Sequence, residues 1–194
     1  METAAWKQSR MNTCGPACLM VALHEMGRPG LSRDRELKIW KHVRHFFLLG
    51  STPAYVAEYA KSRGLATALY IDEPTAGRIG GNRRSFFHTL HRHLKRTYRM
   101  TARKARDNGL AVRSMNAFGD LAGILSADSA LAAICLVYDE YGYLHFVLAR
   151  RRGETFVVMD PADGSNTGYE PGKFLEQYGN VFAGYVVVLG REEA

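Results

Sequence analysis

The chain has 194 residues, enough for one domain with a hydrophobic core and short for two. Its 46% hydrophobic and 23% charged residues are ordinary globular values, which excludes wholesale disorder, and no apolar run approaches the ~18 residues that a membrane-spanning helix needs. The net charge of +7 is concentrated in one place: residues 74–106 hold ten of the 26 Lys and Arg and none of the 19 Asp and Glu.

The first residues, "METAAWKQSR", lack the apolar core of a secretory signal. Three cysteines, Cys14, Cys18 and Cys135, are too few for a disulfide framework, so the expectation is a cytoplasmic protein with reduced thiols. The first helix is expected to open at Gly15 or Pro16 and to close at Gly27, with an interior, "ACLMVALHEM", apolar nearly all round and therefore buried. A second helix is read over Arg33 to Leu48. A third, "STPAYVAEYAKSRG", has Ser51 or Thr52 as its cap, Pro53 in its first turn and Gly64 at its end. "LATALYI" is a short strand, and "EPTAGRIGGN" reads as a loop.

In the basic stretch, Phe87, Leu90, Leu94, Tyr98, Thr101 and Ala105 recur at helical spacing, with Arg84, His88, Arg92, Lys95, Arg99, Arg103 and Arg106 on the other faces. This is an amphipathic basic helix stopped by Asn108-Gly109. A weaker helix follows from Phe118 to Leu125, with Asn116 available as its cap. "LAAICLVY", "YLHFVLARR", "ETFVVMD" and "FAGYVVVL" are strands, and a short helix from Gly172 to Tyr178 precedes the last. Helices first and an antiparallel sheet afterwards give an α+β fold in a single domain spanning residues 1–194.

A cysteine attacks as its thiolate, and the unpaired N–H groups at a helix N-terminus favour that form. Cys14 sits at such a junction. His145 lies mid-strand, and Asp160 ends the next strand. A hairpin turning near Arg151 to Gly153 sets them roughly opposite each other, so that Asp160 holds one imidazole nitrogen and the other faces the thiol. Gln8, six residues before Cys14, can offer its amide to a developing oxyanion, with the Cys14 backbone N–H as a second donor. Taken singly, each has a plainer reading: an inert buried cysteine, as Cys18 and Cys135 are read, a core histidine, a turn residue before Pro161. Their joint occurrence favours chemistry. His88, His91 and His93 are clustered, but His91 and His93 cannot share a helical face and no carboxylate or cysteine accompanies them, so no metal or other cofactor is expected.

"QSRMNTCGPACLMVALHEMG", followed by "HFVLARRRGETFVVMDPADG", resembles the papain-like cysteine peptidases that process bacteriocin double-glycine leaders. Their pattern is a glutamine about six residues before a Cys-Gly motif, then a strand His, then an Asp-Pro about sixteen residues later. Here the spacings are six and fifteen. The resemblance implies a papain-like fold with its N-terminal helices packed on the C-terminal sheet. It casts Gln8 as oxyanion donor, Cys14 as nucleophile, His145 as base and Asp160 as the residue that orients it. Against that pattern the basic helical segment, residues 74–109, reads as an insertion.

The first functional reading is a cysteine hydrolase that cleaves a peptide or amide bond through an acyl-enzyme. The second is an acyltransferase that uses the same thioester, since the core also resembles phytochelatin synthases and acyltransferases fed by carrier proteins. A non-catalytic binding module is the third. The partner is a peptide or an acylated protein, and an acidic carrier protein would be steered by Arg92, Lys95, Arg99 and Arg103. No nucleic-acid motif is visible.

Overall fold

α1 (Cys14–Glu25) begins at the cysteine itself, just ahead of the expected start. Thr13 causes this by folding back on Arg10: its hydroxyl donates to the Arg10 carbonyl (2.8 Å) and accepts from the Arg10 N–H (3.2 Å). Every residue from Gly15 to Leu23 is buried. The helix ends where Gly27, at φ +80°, lets Arg28 N–H reach back to the Leu23 carbonyl. The computed structural model describes residues 3–28, 30–45, 50–79, 88–126 and 130–191.

α2 (Arg33–Val43) is capped by Ser32 and stops short of the expected Leu48. Arg44 is extended and bridges to Ser51, and His45 N–H donates to the Gly50 carbonyl, so the chain reverses where a longer helix was read. Residues 46–49 lie outside the described residues. α3 (Pro53–Ser62) follows its expected punctuation: the Thr52 hydroxyl accepts from Tyr55 N–H, and Gly64 takes φ +75°.

β1 (Leu65–Ile71) leads into α4 (Glu73–Ala76), a helical turn inside the stretch read as a loop. Buried Asp72 makes that turn, accepting from the N–H and hydroxyl of Thr75 (3.2 and 2.7 Å). α5 (His88–Asp107) is the basic helix, and β2 (Ala111–Ser114) after it was not anticipated. α6 (Asp120–Ile124) is shorter than expected; Asp120 accepts from Asn116 N–H, so Asn116 is not the cap. The rest runs β3 (Ala130–Tyr138), β4 (Leu144–Arg152), β5 (Thr155–Asp160), β6 (Ser165–Tyr169), α7 (Pro171–Gly179) and β7 (Phe182–Arg191).

The seven strands form one sheet in the order β2-β1-β7-β3-β4-β5-β6. All neighbours are antiparallel except β1 and β2, so the sheet is mixed at one edge and draws strands from both halves of the chain. Both faces are covered. Ile134, Leu136, Phe146, Leu148, Tyr185 and Val187 pack against α1, α2, α3 and α5. Alternate residues of the same strands, Cys135, Val137, Val147, Val186 and Val188, pack with Phe118, Leu121 and Phe174 of the α6 and α7 region. Burial on two faces is why "LAAICLVY" and "FAGYVVVL" read as continuous apolar runs without alternation.

The basic segment is integrated into this core. Tyr98, Thr101, Ala102 and Ala105 of α5 are buried and Leu94 is half-buried. Phe87 and the side chain of Leu90 lie outside the described residues.

Gly184 on β7 is a required glycine. It has φ +87°, its carbonyl accepts from Asp72 N–H, and a Cβ there would land on the backbone of Ala76. We expect Gly184→Ala to lower stability by roughly 2 kcal/mol or more, from the unfavourable φ and the collision with α4 together. Urea unfolding of the two proteins measures it, and an unchanged midpoint would refute the packing argument.

Candidate active site

The residues before α1 form a strap tied down by three buried or half-buried charged groups. Glu36 of α2 is fully buried and accepts from Trp6 Nε1 (2.7 Å) and Ser9 N–H (2.9 Å). Arg150 of β4, also buried, donates through Nη1 to the Ala4 carbonyl (2.9 Å) and Glu25 (2.6 Å), and through Nη2 to Asn166 (2.5 Å). Glu25 in turn accepts from Ala4 N–H (3.0 Å). Burial pulls the Arg150 pKa down, and the Glu25 carboxylate opposes that pull. Further along, Gln8 N–H donates to the Pro161 carbonyl (2.8 Å), and Gly164 at φ +79° lies so close that a Cβ would sit 2.9 Å from Lys7 N. The strap therefore runs against the turn that follows β5, and Cys14 is delivered at its end.

β4 and β5 meet in a hairpin whose register ends at Leu148↔Met159. One step further along the same register, Asp160 faces Val147, two residues from His145 on the same side of the strand. Across that diagonal, His145 Nε2 lies 2.7 Å from Asp160 Oδ1. The same oxygen accepts from Ala162 N–H (2.8 Å), which holds the carboxylate in the turn. With Nε2 taken, Nδ1 is the ring nitrogen left for Cys14, to which the His145 side chain is hydrogen-bonded.

His145 is drawn in two directions. Burial, the largest single influence, disfavours its charged form, but the hydrogen bonds to Asp160 and Cys14 and their negative charge outweigh it and lift the pKa to about 10. Asp160 responds in the opposite sense. Burial pushes its carboxyl up, yet the hydrogen bonds from His145 and Ala162 and the charge of His145 leave it below the ordinary value. Both shifts favour an imidazolium facing a carboxylate.

Cys14 is partly exposed, whereas Cys18 and Cys135 are buried. Burial raises both buried thiols, Cys135 to about 12, and Cys18 donates weakly to the Phe146 carbonyl (3.5 Å). Gln8 is half-buried, and its Oε1 has no hydrogen-bond partner among the described residues.

The four basic residues singled out on α5 are not equivalent. Lys95 is half-buried and donates to the Gly77 carbonyl (2.6 Å), and Arg99 lies 3.5 Å from Glu73; both brace α4. Arg103 is exposed, as are Arg96, Lys104 and Arg106, which had not been singled out for partner binding. The side chain of Arg92 lies outside the described residues. Tyr98 has a role that spacing did not disclose. Burial raises its hydroxyl pKa and the proximity of Cys14 raises it further, so α5 contributes to the surroundings of that thiol. Sequence reasoning also missed Arg150, Glu25 and Glu36. A charged residue inside the apolar run "HFVLAR" was the available signal for the first.

Among the described residues, no helix is long and apolar enough to cross a membrane. No curated protein sequence matches the chain. Among solved structures, the peptidase domain of Streptococcus ComA, a bi-functional ABC transporter involved in a quorum-sensing pathway, aligns with 98% of this chain and 100% of its own. The TM-score is 0.55 at 13% identity, a likeness of fold. The Pseudomonas avirulence protein AvrPphB aligns over 97% of this chain and 95% of its own at a TM-score of 0.35 and 13% identity. The sequence match reaches further than fold: residues 4–170, a span that contains Gln8, Cys14, His145 and Asp160, match the Peptidase_C39-like family, and the chain belongs to that family.

Proposed function

We propose that the protein is a cysteine peptidase in which Cys14, His145 and Asp160 form a catalytic triad and Gln8 completes the oxyanion site. The observation that carries the reading is His145, held by Asp160 on one nitrogen and hydrogen-bonded to a partly exposed cysteine at the start of a buried helix. The Cys14 thiolate adds to the scissile carbonyl carbon, and the carbonyl oxygen takes up the negative charge. That charge falls to the Gln8 amide and to the Cys14 backbone N–H, which has no acceptor within the first turn of the helix. Collapse breaks the C–N bond as Nδ1 of the imidazolium gives its proton to the leaving amine. Water then attacks the thioester with Nδ1 taking its proton, the acid is released and the thiolate returns.

Acyl transfer would differ only in having an amine replace that water. The family match favours hydrolysis, and the basic helix is the one feature that speaks for an acidic carrier protein. Weighing the covalent adduct trapped on Cys14 from a cell lysate separates the two: a peptide mass supports proteolysis, and a fatty or amino acyl mass supports transfer. We expect iodoacetamide at neutral pH to modify Cys14 and to spare Cys18 and Cys135, and Cys14→Ala to abolish turnover. Equal labelling of all three thiols in the folded protein would argue against the assignment.

Asp160→Asn should reduce kcat by about 10²–10⁴-fold with a smaller change in KM, because it disturbs both the charge and the orientation of the imidazole. A histidine whose pKa is raised on folding contributes stability that is fully present below its ordinary value near 6.5. That contribution is lost as the pH climbs through about 10. The stability difference between the wild type and His145→Gln should therefore shrink between those limits. The alkaline limb of the activity profile should move to lower pH in Asp160→Asn.

Among the cations of α5, Arg96 and Arg103 are exposed and form no ion pair among the described residues. We expect the double reversal Arg96→Glu with Arg103→Glu to raise KM for an acidic substrate at low salt. The effect should fade as exposed charges are screened, and kcat on a small neutral peptide should be unchanged. Identical kinetics on the acidic substrate at low salt would leave α5 without a recruiting role.

A further inference from the structure

At the end of α1 remote from Cys14, a cleft of about 770 Å³ opens between α1, α2 and the C-terminal end of α3. Its volume falls in the range of small-molecule sites. Four cations line it, Arg28, Arg35, Lys38 and Arg63, against one carboxylate, Asp34. None of the four is in a salt bridge among the described residues. Three of them are fixed in place. Arg28 Nη2 donates to the Arg63 carbonyl (3.0 Å), Arg35 Nη1 to the Gly30 carbonyl (3.3 Å), and the Arg63 guanidinium lies 4.6 Å from the centre of the Tyr59 ring. Each arginine still has most of its five donors to offer.

Holding four like charges in one cleft is unfavourable unless an anion offsets them. Burial is the main cause that lowers the Arg35 pKa; Tyr59 opposes it, and the charge of Arg63 adds a smaller lowering. The smaller cleft beside α5 makes a useful contrast. There Arg99, Arg103 and Arg106 meet two carboxylates, Glu73 and Asp107, and Arg99 is ion-paired. Near-balance in one cleft and a surplus of three in the other single out the first. A single carboxylate would offset one charge, whereas a diphosphate carries two to three and matches guanidinium forks bidentately. The Tyr59 and His42 rings, 5.5 Å apart and tilted by 38° to each other, give an aromatic wall beside the cations.

We propose that this cleft binds a small diphosphate-bearing anion, drawn either from inorganic pyrophosphate or from a nucleoside diphosphate whose ring rests on Tyr59 and His42. The rise of α1 from Cys14 to Leu23, about 14 Å of helix, separates it from the reacting thiol, so the ligand does not enter the chemistry.

Calorimetric titration of the full chain with pyrophosphate and, separately, with ADP tests it. Binding of either supports the site: tighter ADP points to the nucleotide, and equal affinity points to the inorganic ion. Lys38→Glu alters an exposed side chain, and Arg35→Gln removes one cation from the wall. Each should weaken binding at least about tenfold with the melting temperature retained. Arg96→Gln with Lys104→Gln on α5 should leave binding unchanged. The proposal is overturned if neither compound binds below about 1 mM, if the cleft variants bind as the wild type does, or if the α5 variant loses as much.

Discussion

One buried ion pair sets the geometry on which the rest depends. Arg150 lies five residues beyond His145 on β4, and Glu25 is the last residue of the helix that begins with Cys14, so their 2.6 Å contact joins the element of the imidazole to the element of the thiol. A buried guanidinium needs partners, and Arg150 meets Glu25, Ala4 and Asn166 through Nη1 and Nη2, leaving Nε without a partner among the described residues. Such pairs add little to net stability once desolvation is counted. What this one supplies is registry. α1 cannot slide along β4 without stranding a charge, and the distance between thiol and imidazole is set accordingly.

The same guanidinium anchors the strap, and the strap explains how residues from distant parts of the chain converge. Glu36 holds Trp6 and Ser9 from one side, and the turn after β5 holds Gln8 from the other. Asp160 belongs to that turn, so the segment that positions Gln8 also borders the carboxylate that holds His145. The electrostatics follow from this arrangement. Burial works against charge on both His145 and Asp160, and their 2.7 Å contact, with Cys14 beside the ring and Ala162 N–H on the carboxylate, works in favour of it.

Much of the architecture was legible because local chemistry punctuates it. Pro53 and Gly64 bracket α3, and Asn108-Gly109 closes α5, since φ preference and missing donors act within a few residues. The strands buried on two faces announced themselves by apolar content. β6 did not: "SNTGY" has no apolar alternation and is a strand only because β5 lies beside it. β2 is four residues long and owes its conformation to β1. The premature end of α2 depends on the pairing of Arg44 with Ser51, which a helical pattern cannot disclose. At the site, His145 and Asp160 could be aligned because a hairpin places them by counting. Arg150 and Glu25, 125 residues apart, could not. Lys95 and Arg99 were read as free charges because α4, the element they brace, was itself read as a loop.

The strap and the β5 turn have a consequence for the order of assembly. Gly164 packs on Lys7, and Asn166 reaches Thr3, so the two flanks of the site are stitched together by contacts of very long sequence separation. Contacts of this kind form late, because the intervening loop must close before any of them is made. A chain emerging from the ribosome no further than α5 already contains the cysteine and its helix, yet it lacks His145, Asp160 and the Arg150 counter-charge for Glu25. The thiol is thus made first and paired last. Its hydrogen bond to His145 exists only once β4, β5 and the turn to β6 have folded back on the strap.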